Sequence, residues 1–166
     1  MTDVAHLNGL NQKEATEIFL QCCGSLKWAR KMTEERPFQN SHELEVMADH
    51  IWLSLDEEDW LEAFSAHPKI GEKKAVDASV SARWAEDEQS GASRAAAEVL
   101  GLLLAANHEY ERRFGFIFIV CATGKSAEEM LALLHERMTN EPDAEIRIAV
   151  EEQRRITHIR LGKLLT

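Results

Sequence analysis

At 166 residues, 45% apolar and 29% charged, the chain has the composition of a soluble globular protein and length enough for one domain with a substantial core. Its net charge of -10 argues against a nucleic-acid surface, because phosphate binding needs clustered Lys and Arg. Three cysteines, two of them adjacent at Cys22 and Cys23, make no disulfide framework and suit a reducing compartment.

In chain order the sequence reads as helix after helix. Nothing near the start of the sequence reads as a signal peptide, since Gln12, Lys13, Glu14 and Glu17 interrupt any apolar run. Asn11 with Glu14 forms a capping-box pattern ahead of Ala15, Ile18, Phe19 and Cys22 at helical spacing. A short helix holds Leu26, Trp28, Ala29 and Met32, and Arg36, Pro37 and Phe38 break it. Ser41 is the expected cap of the next helix, with Leu44, Met47, Ala48, Ile51 and Leu55 on one face. Asp56 caps the following one, where Glu57, Glu58 and Asp59 suit the positive dipole end. From Gly71 to about Ser81 the pattern fades into a loop that leads to a helix carrying Glu88. Residues 95–108 are rich in Ala and Leu and strongly helical despite Gly101.

Phe116, Ile117, Phe118, Ile119, Val120 and Cys121 form a continuous apolar run of strand-like composition. No second strand is available to pair with it, so it is either a buried extended segment or a helix start. The run is too short to span a bilayer, and the C-terminal Leu164, Leu165 and Thr166 are no peroxisomal address. A cytoplasmic protein without membrane contact is expected. Ser126 with Glu129 makes another capping box, ahead of Met130, Leu131, Leu133 and Leu134. Pro142 is a good first-turn residue for the last helix, with Asp143 and Glu145 beside it. The fold class is therefore all-α: one domain over residues 1–166, a bundle of about seven to nine helices with one buried extended segment.

Some residues break this bland pattern. His67 precedes Pro68, and the residue before a proline is pushed out of the helical region, so the helix through Trp60, Leu61, Ala63 and Phe64 stops near it. The pair is either a plain helix stop or a stiffly held imidazole able to act as general acid or base near neutral pH. In the last helix, at about 100° per residue, Ile146, Ala149, Val150, Gln153, Thr157 and Leu164 share a face, and Arg160 falls on it too. A guanidinium aimed at a core is costly unless an anion meets it. It is either an internal ion pair, with Glu88 for instance, a snorkelling side chain, or a carboxylate-binding group. Cys121 sits in an apolar run with no adjacent base, which favours an inert buried thiol over a nucleophile. His108 and Glu109 lack the second histidine of a zinc helix motif, no Cys or His pair has ligand spacing, and Gly115 and Gly124 are isolated. No metal and no cofactor are expected. His42, His50 and His135 read as surface or boundary residues.

Four segments in order carry a resemblance: His67, Pro68, Lys69, Ile70 and Gly71; Glu88, Gln89, Ser90, Gly91 and Ala92; the run from Phe114 through Gly115 to Gly124, Lys125 and Ser126; and Glu152 and Gln153 followed by Ile156, Thr157, His158, Ile159, Arg160 and Leu161. Together they resemble the decarboxylases of 2-oxo-4-hydroxy-4-carboxy-5-ureidoimidazoline (OHCU), which make (S)-allantoin in urate breakdown. The resemblance covers roughly the whole chain.

The resemblance implies a cofactor-free decarboxylation of a small-molecule substrate. It makes His67 and Glu88 the catalytic pair, with Glu88 and Gln89 as ureido-side anchors. It makes Arg160 the carboxylate anchor and Pro68 a wall that fixes His67. Backbone amides and carbonyls of Val120, Cys121, Ala122 and Thr123 would meet the substrate. Ala85 departs from the family pattern, which commonly has a serine three residues before the Glu-Gln pair; Ser81 or Ser90 is a candidate replacement. Asp87 stands just before Glu88, and like-charge repulsion between such neighbours can raise the pKa of one of them. Similar proteins often form homodimers, although the apolar residues here can equally serve a core. The competing readings are a non-catalytic helical binding module, with Arg160 paired internally and His67 a structural stop, or a family-like enzyme with a shifted substrate.

Overall fold

The computed structural model describes residues 3–69 and 97–166. Among them are eight helices and no strand: α1 Val4–Gly9, α2 Gln12–Cys22, α3 Leu26–Glu34, α4 Ser41–Ser54, α5 Glu57–Ser65, α6 Ala97–Phe114, α7 Ala127–Arg137 and α8 Pro142–Leu164. This is the all-α class read from the periodicity. The expected loop after Gly71 and the helix around Glu88 lie outside the described residues. No helix of the described residues is long and apolar enough to cross a membrane.

The chain gathers into two compact units. One comprises Met1–Ala63 with Arg154–Thr166, the other Phe64–Gln153. In the first, Asn11 caps α2 with both halves of the capping box in place: its side chain accepts from Glu14 N, and Glu14 accepts from Asn11 N. α3 ends at Glu34, just before the Arg36–Pro37 break. Phe19, Trp28, Met32 and Leu44 are fully buried, with Phe19 edge-on to Trp28 at 6.0 Å and to Phe38 at 6.5 Å. Each such side chain contributes roughly 1.5–3 kcal/mol by leaving water. Trp28 keeps its ring N–H satisfied by donating to Ala48 O at 3.1 Å, which ties α3 to α4.

The cap of α4 differs from the sequence expectation. Asn40, not Ser41, holds the N-cap position; its side chain accepts from Glu43 N at 2.9 Å, and Ser41 is the first helical residue. Asn40 has extended backbone angles, so its side-chain Oδ1 can reach the third amide of the helix. Asp56 caps α5 as expected, accepting from Asp59 N at 3.4 Å.

In the second unit α6 runs on past His108 to Phe114 and stops at Gly115, whose φ of +83° only glycine adopts without strain. Residues 116–122 follow as a buried segment that is neither helix nor strand. Ser126 caps α7 by accepting from Glu129 N at 3.1 Å, and Pro142 opens α8. Tyr110, Met130, Leu134 and Ala149 are fully buried, and the rings of Phe116 and Phe118 lie 5.8 and 5.4 Å from Tyr110.

Candidate active site

α5 ends at Ser65, and the chain turns through His67 and Pro68, both half-buried. The turn is held on several sides within its unit. His67 N donates to Phe64 O at 3.2 Å, and the Phe64 ring lies 5.4 Å from Phe116. Lys69 Nζ meets Glu111 Oε2 of α6 at 2.7 Å. The His67 imidazole itself is engaged: its Nε2 lies 2.5 Å from Gln153 Oε1 of α8.

The residue before Gln153 acts on the other candidate segment. Glu152 Oε1 accepts from Cys121 N at 3.3 Å. This belongs to a wider solution of one problem. A buried chain segment without a strand partner must satisfy its polar backbone elsewhere. Asn107 Oδ1 accepts from Phe118 N at 3.2 Å, Arg137 donates to Ile119 O at 2.7 Å, and Lys125 Nζ donates to Cys121 O at 2.8 Å. Val120, Cys121 and Ala122 are buried, and Thr123 is exposed.

Arg137 is itself buried, and its charge is balanced. Its Nε donates to Glu145 Oε1 at 2.6 Å, and its guanidinium lies over the Phe118 ring at 4.5 Å. Tyr110 donates its hydroxyl to the same carboxylate oxygen. Burial pushes that hydroxyl above its ordinary range, so it remains a donor. Asn140 Nδ2 donates to Glu145 Oε2 at 3.0 Å. Glu145 thus does more than suit a helix dipole: at 0% exposure it anchors the group that holds the Ile119 carbonyl.

In the other unit Arg160 is buried at 6% exposure, as its helical phase required. Its guanidinium donates to Gln21 O at 3.4 Å and lies near the Cys23 thiol. Burial pushes that thiol up to about 12, and hydrogen bonds to Ser25 and Thr157 and the Arg160 charge only partly oppose it. His158 and Arg154, one helical turn apart on α8, both engage Asp49 of α4, at 2.6 and 3.3 Å.

Of the residues singled out in the sequence, His67, Pro68 and residues 120–123 fall in one unit and Arg160 in the other. Ala85, Glu88 and Gln89 lie outside the described residues. A groove of about 580 Å³ between α2 and α3, lined among others by Thr16, Arg30 and Thr33, contains none of the candidates. Among the described residues no cluster of three His, Cys, Asp or Glu side chains is placed to hold a metal ion. Sequence reasoning assigned no role to Glu152, Gln153, Asn107 or Arg137. For Gln153 the signal was present, a polar residue in phase with an apolar face. For Asn107 and Glu152 the partner given above is a backbone amide, and for Arg137 a backbone carbonyl as well as the Glu145 carboxylate; no pattern of side chains marks the backbone partners.

Comparison with known proteins covers nearly the whole length of the chain. The family model described as OHCU decarboxylase matches residues 8–162. The 2-oxo-4-hydroxy-4-carboxy-5-ureidoimidazoline decarboxylase of Amia calva is 30% identical over 167 residues, covering 98% of this chain and 94% of that protein. The uric acid degradation bifunctional protein TTL of Arabidopsis thaliana is 38% identical over 148 residues, 87% of this chain; the chain spans only 45% of that protein. A crystal structure of OHCU decarboxylase in the presence of (S)-allantoin superposes with a TM-score of 0.79 at 40% identity, covering 90% of this chain and 97% of that one. A crystal structure of (S)-allantoin synthase shares the fold, with a TM-score of 0.74 at 18% identity over 100% of this chain and 54% of that one.

Proposed function

The chain belongs to the OHCU decarboxylase family, and from that membership we propose that it converts 2-oxo-4-hydroxy-4-carboxy-5-ureidoimidazoline to (S)-allantoin in urate degradation, as a carboxy-lyase. The observation that carries the reading is the likeness to an OHCU decarboxylase structure over 97% of that chain at 40% identity. The chemistry balances without a cofactor. The bond from the ring carbon to its carboxylate breaks, carbon dioxide leaves, and the electron pair passes into the neighbouring ring C=N. A proton then arrives on one face of the ureido-bearing carbon, the hydroxyl proton of the adjacent enol passes to the ring nitrogen that took the electron pair, and the enol becomes the carbonyl of allantoin. The protein's tasks are to hold the carboxylate, orient the ring and manage that proton.

His67 is the acid–base group in this reading, held stiffly by Pro68 and by its contact with Gln153. Arg160 is the carboxylate anchor, and Glu88 and Gln89 bind the ureido side, where a carboxylate and an amide suit N–H donors. Backbone groups of Val120, Cys121, Ala122 and Thr123 meet the substrate, and the wall of buried side chains behind them keeps that segment in place. Ala85 leaves one hydrogen bond fewer than the usual serine and affects affinity more than reaction type. Residues 1–166 form one domain of the family. The expected compartment is the cytoplasm, which the buried free thiols Cys22, Cys23 and Cys121 suit. A homodimer is the expected assembly, on the resemblance alone.

The test generates the unstable substrate from urate and follows allantoin by its optical activity. Spontaneous decay yields racemate, so a one-handed product reports enzymatic control. His67→Asn should lose about 10²–10⁴-fold in rate, the usual worth of a general acid–base group, with its helix content intact. Racemic product from the parent protein would refute the activity. A His67→Asn variant at the parent rate would return the histidine to a structural helix stop.

A further inference from the structure

Gln153 is fully buried in α8, in the same unit as His67. A carboxamide oxygen can only accept a hydrogen bond, so a ring nitrogen 2.5 Å from it must carry the proton. A neutral imidazole has one N–H; with Nε2 as the donor, the lone pair sits on Nδ1. We propose that Gln153 is a positioning residue: it holds His67 in the Nε2–H tautomer and leaves Nδ1 as the nitrogen that exchanges a proton with the substrate. The proposal rests on the acid–base reading of His67 given above.

The surroundings favour a fixed ring over a loosely held one. The backbone of His67 is pinned by its bond to Phe64 O, and Lys69 is tied to Glu111. A fully buried amide on a long helix has few rotamers left, so its oxygen offers the imidazole one direction. The choice of amide over carboxylate also has a chemical consequence. A carboxylate in this place would favour the imidazolium, whereas a neutral amide orients the ring without a charge that resists release of its proton. Glu152, the neighbour on α8, holds the Cys121 amide, so the register that places the Gln153 oxygen also places the candidate backbone segment.

The experiment reads the tautomer directly. Protein labelled with ¹⁵N-histidine gives long-range ¹H–¹⁵N spectra in which the two nitrogens of a neutral ring differ widely in shift. The His67 signal is assigned by its loss in His67→Asn. The parent should show Nε2–H. Gln153→Met, similar in volume but without an acceptor oxygen, should shift the ring toward a mixture of tautomers. Its kcat should fall at least about tenfold, part of what acid–base catalysis is worth, with KM changed by less than about threefold. Gln153→Glu restores an acceptor, so it should return the proton to Nε2, but its charge favours the imidazolium, so kcat should recover only in part and only toward higher pH, where Nδ1 releases its proton. A parent ring in the Nδ1–H form would overturn the proposal, even if Gln153→Met fails to fold. So would Gln153→Met at the parent kcat while His67→Asn is inactive. His67→Asn at the parent rate would instead bring down the acid–base reading, and this proposal with it.

Discussion

Arg160 carries a guanidinium, yet only 6% of it is exposed. It donates to Gln21 O at 3.4 Å and lies near the Cys23 thiol, which burial pushes up to about 12. What separates a substrate anchor from a structural ion-pair partner is geometry. A guanidinium grips a carboxylate at two points in one plane, and an ammonium cannot. As an anchor, Arg160→Lys should melt within a few degrees of the parent and lose at least about tenfold in kcat/KM, most of it in substrate binding. As a structural partner, Arg160→Ala should instead lose roughly 3–5 kcal/mol, the usual result of breaking a buried pair. Thermal melts and steady-state kinetics on the two variants decide between them. A fully active lysine variant would count against the anchor.

Helix starts were the most legible elements, although α1 with its Asp3 cap was not foreseen, and the misplaced cap of α4 is instructive. Asn11, Asp56 and Ser126 cap where the sequence placed them. At α4 two capping residue types stand side by side, Asn40 and Ser41, and a shift of one residue is within the ordinary ambiguity of a helix end. Only the backbone breaks the tie: Asn40 is extended, and its oxygen reaches Glu43 N. Asn40→Ala should therefore cost about 0.5–2 kcal/mol, the usual range for a lost cap. Ser41→Ala, at an exposed first-turn position, should stay within about 0.5 kcal/mol of the parent. Urea denaturation of both measures this, and a larger loss for Ser41→Ala would reinstate it as the cap. The buried segment at residues 116–122 was legible as buried but not as solved. Its backbone is satisfied by Asn107, Arg137 and Glu152, from 11, 18 and 31 residues away. Pairings at such separations leave no periodic trace.

At the scale of the whole molecule the same division holds. His67 stood out because Pro68 follows it, and Arg160 because its phase contradicts its charge; both are local signals. The contact between His67 and Gln153 spans 86 residues and could not be read before folding. The two boundaries of the compact units fall between Ala63 and Phe64, inside α5, and between Gln153 and Arg154, inside α8, where no glycine or proline marks them. Net charge is the whole-molecule property that bears on the chemistry, and it complicates the simplest test of a cofactor. At -10 the protein attracts divalent cations loosely, so metal found in a preparation says nothing about the reaction. Activity after chelation does. The substrate ring carries its own electron sink, so the carbanion formed by carbon dioxide loss needs no metal to hold it. Dialysis against a strong chelator should leave both the rate and the handedness of the allantoin unchanged. A rate that falls and is restored by zinc or manganese, but not by magnesium at equal ionic strength, would show a bound Lewis acid at work and overturn the cofactor-free reading.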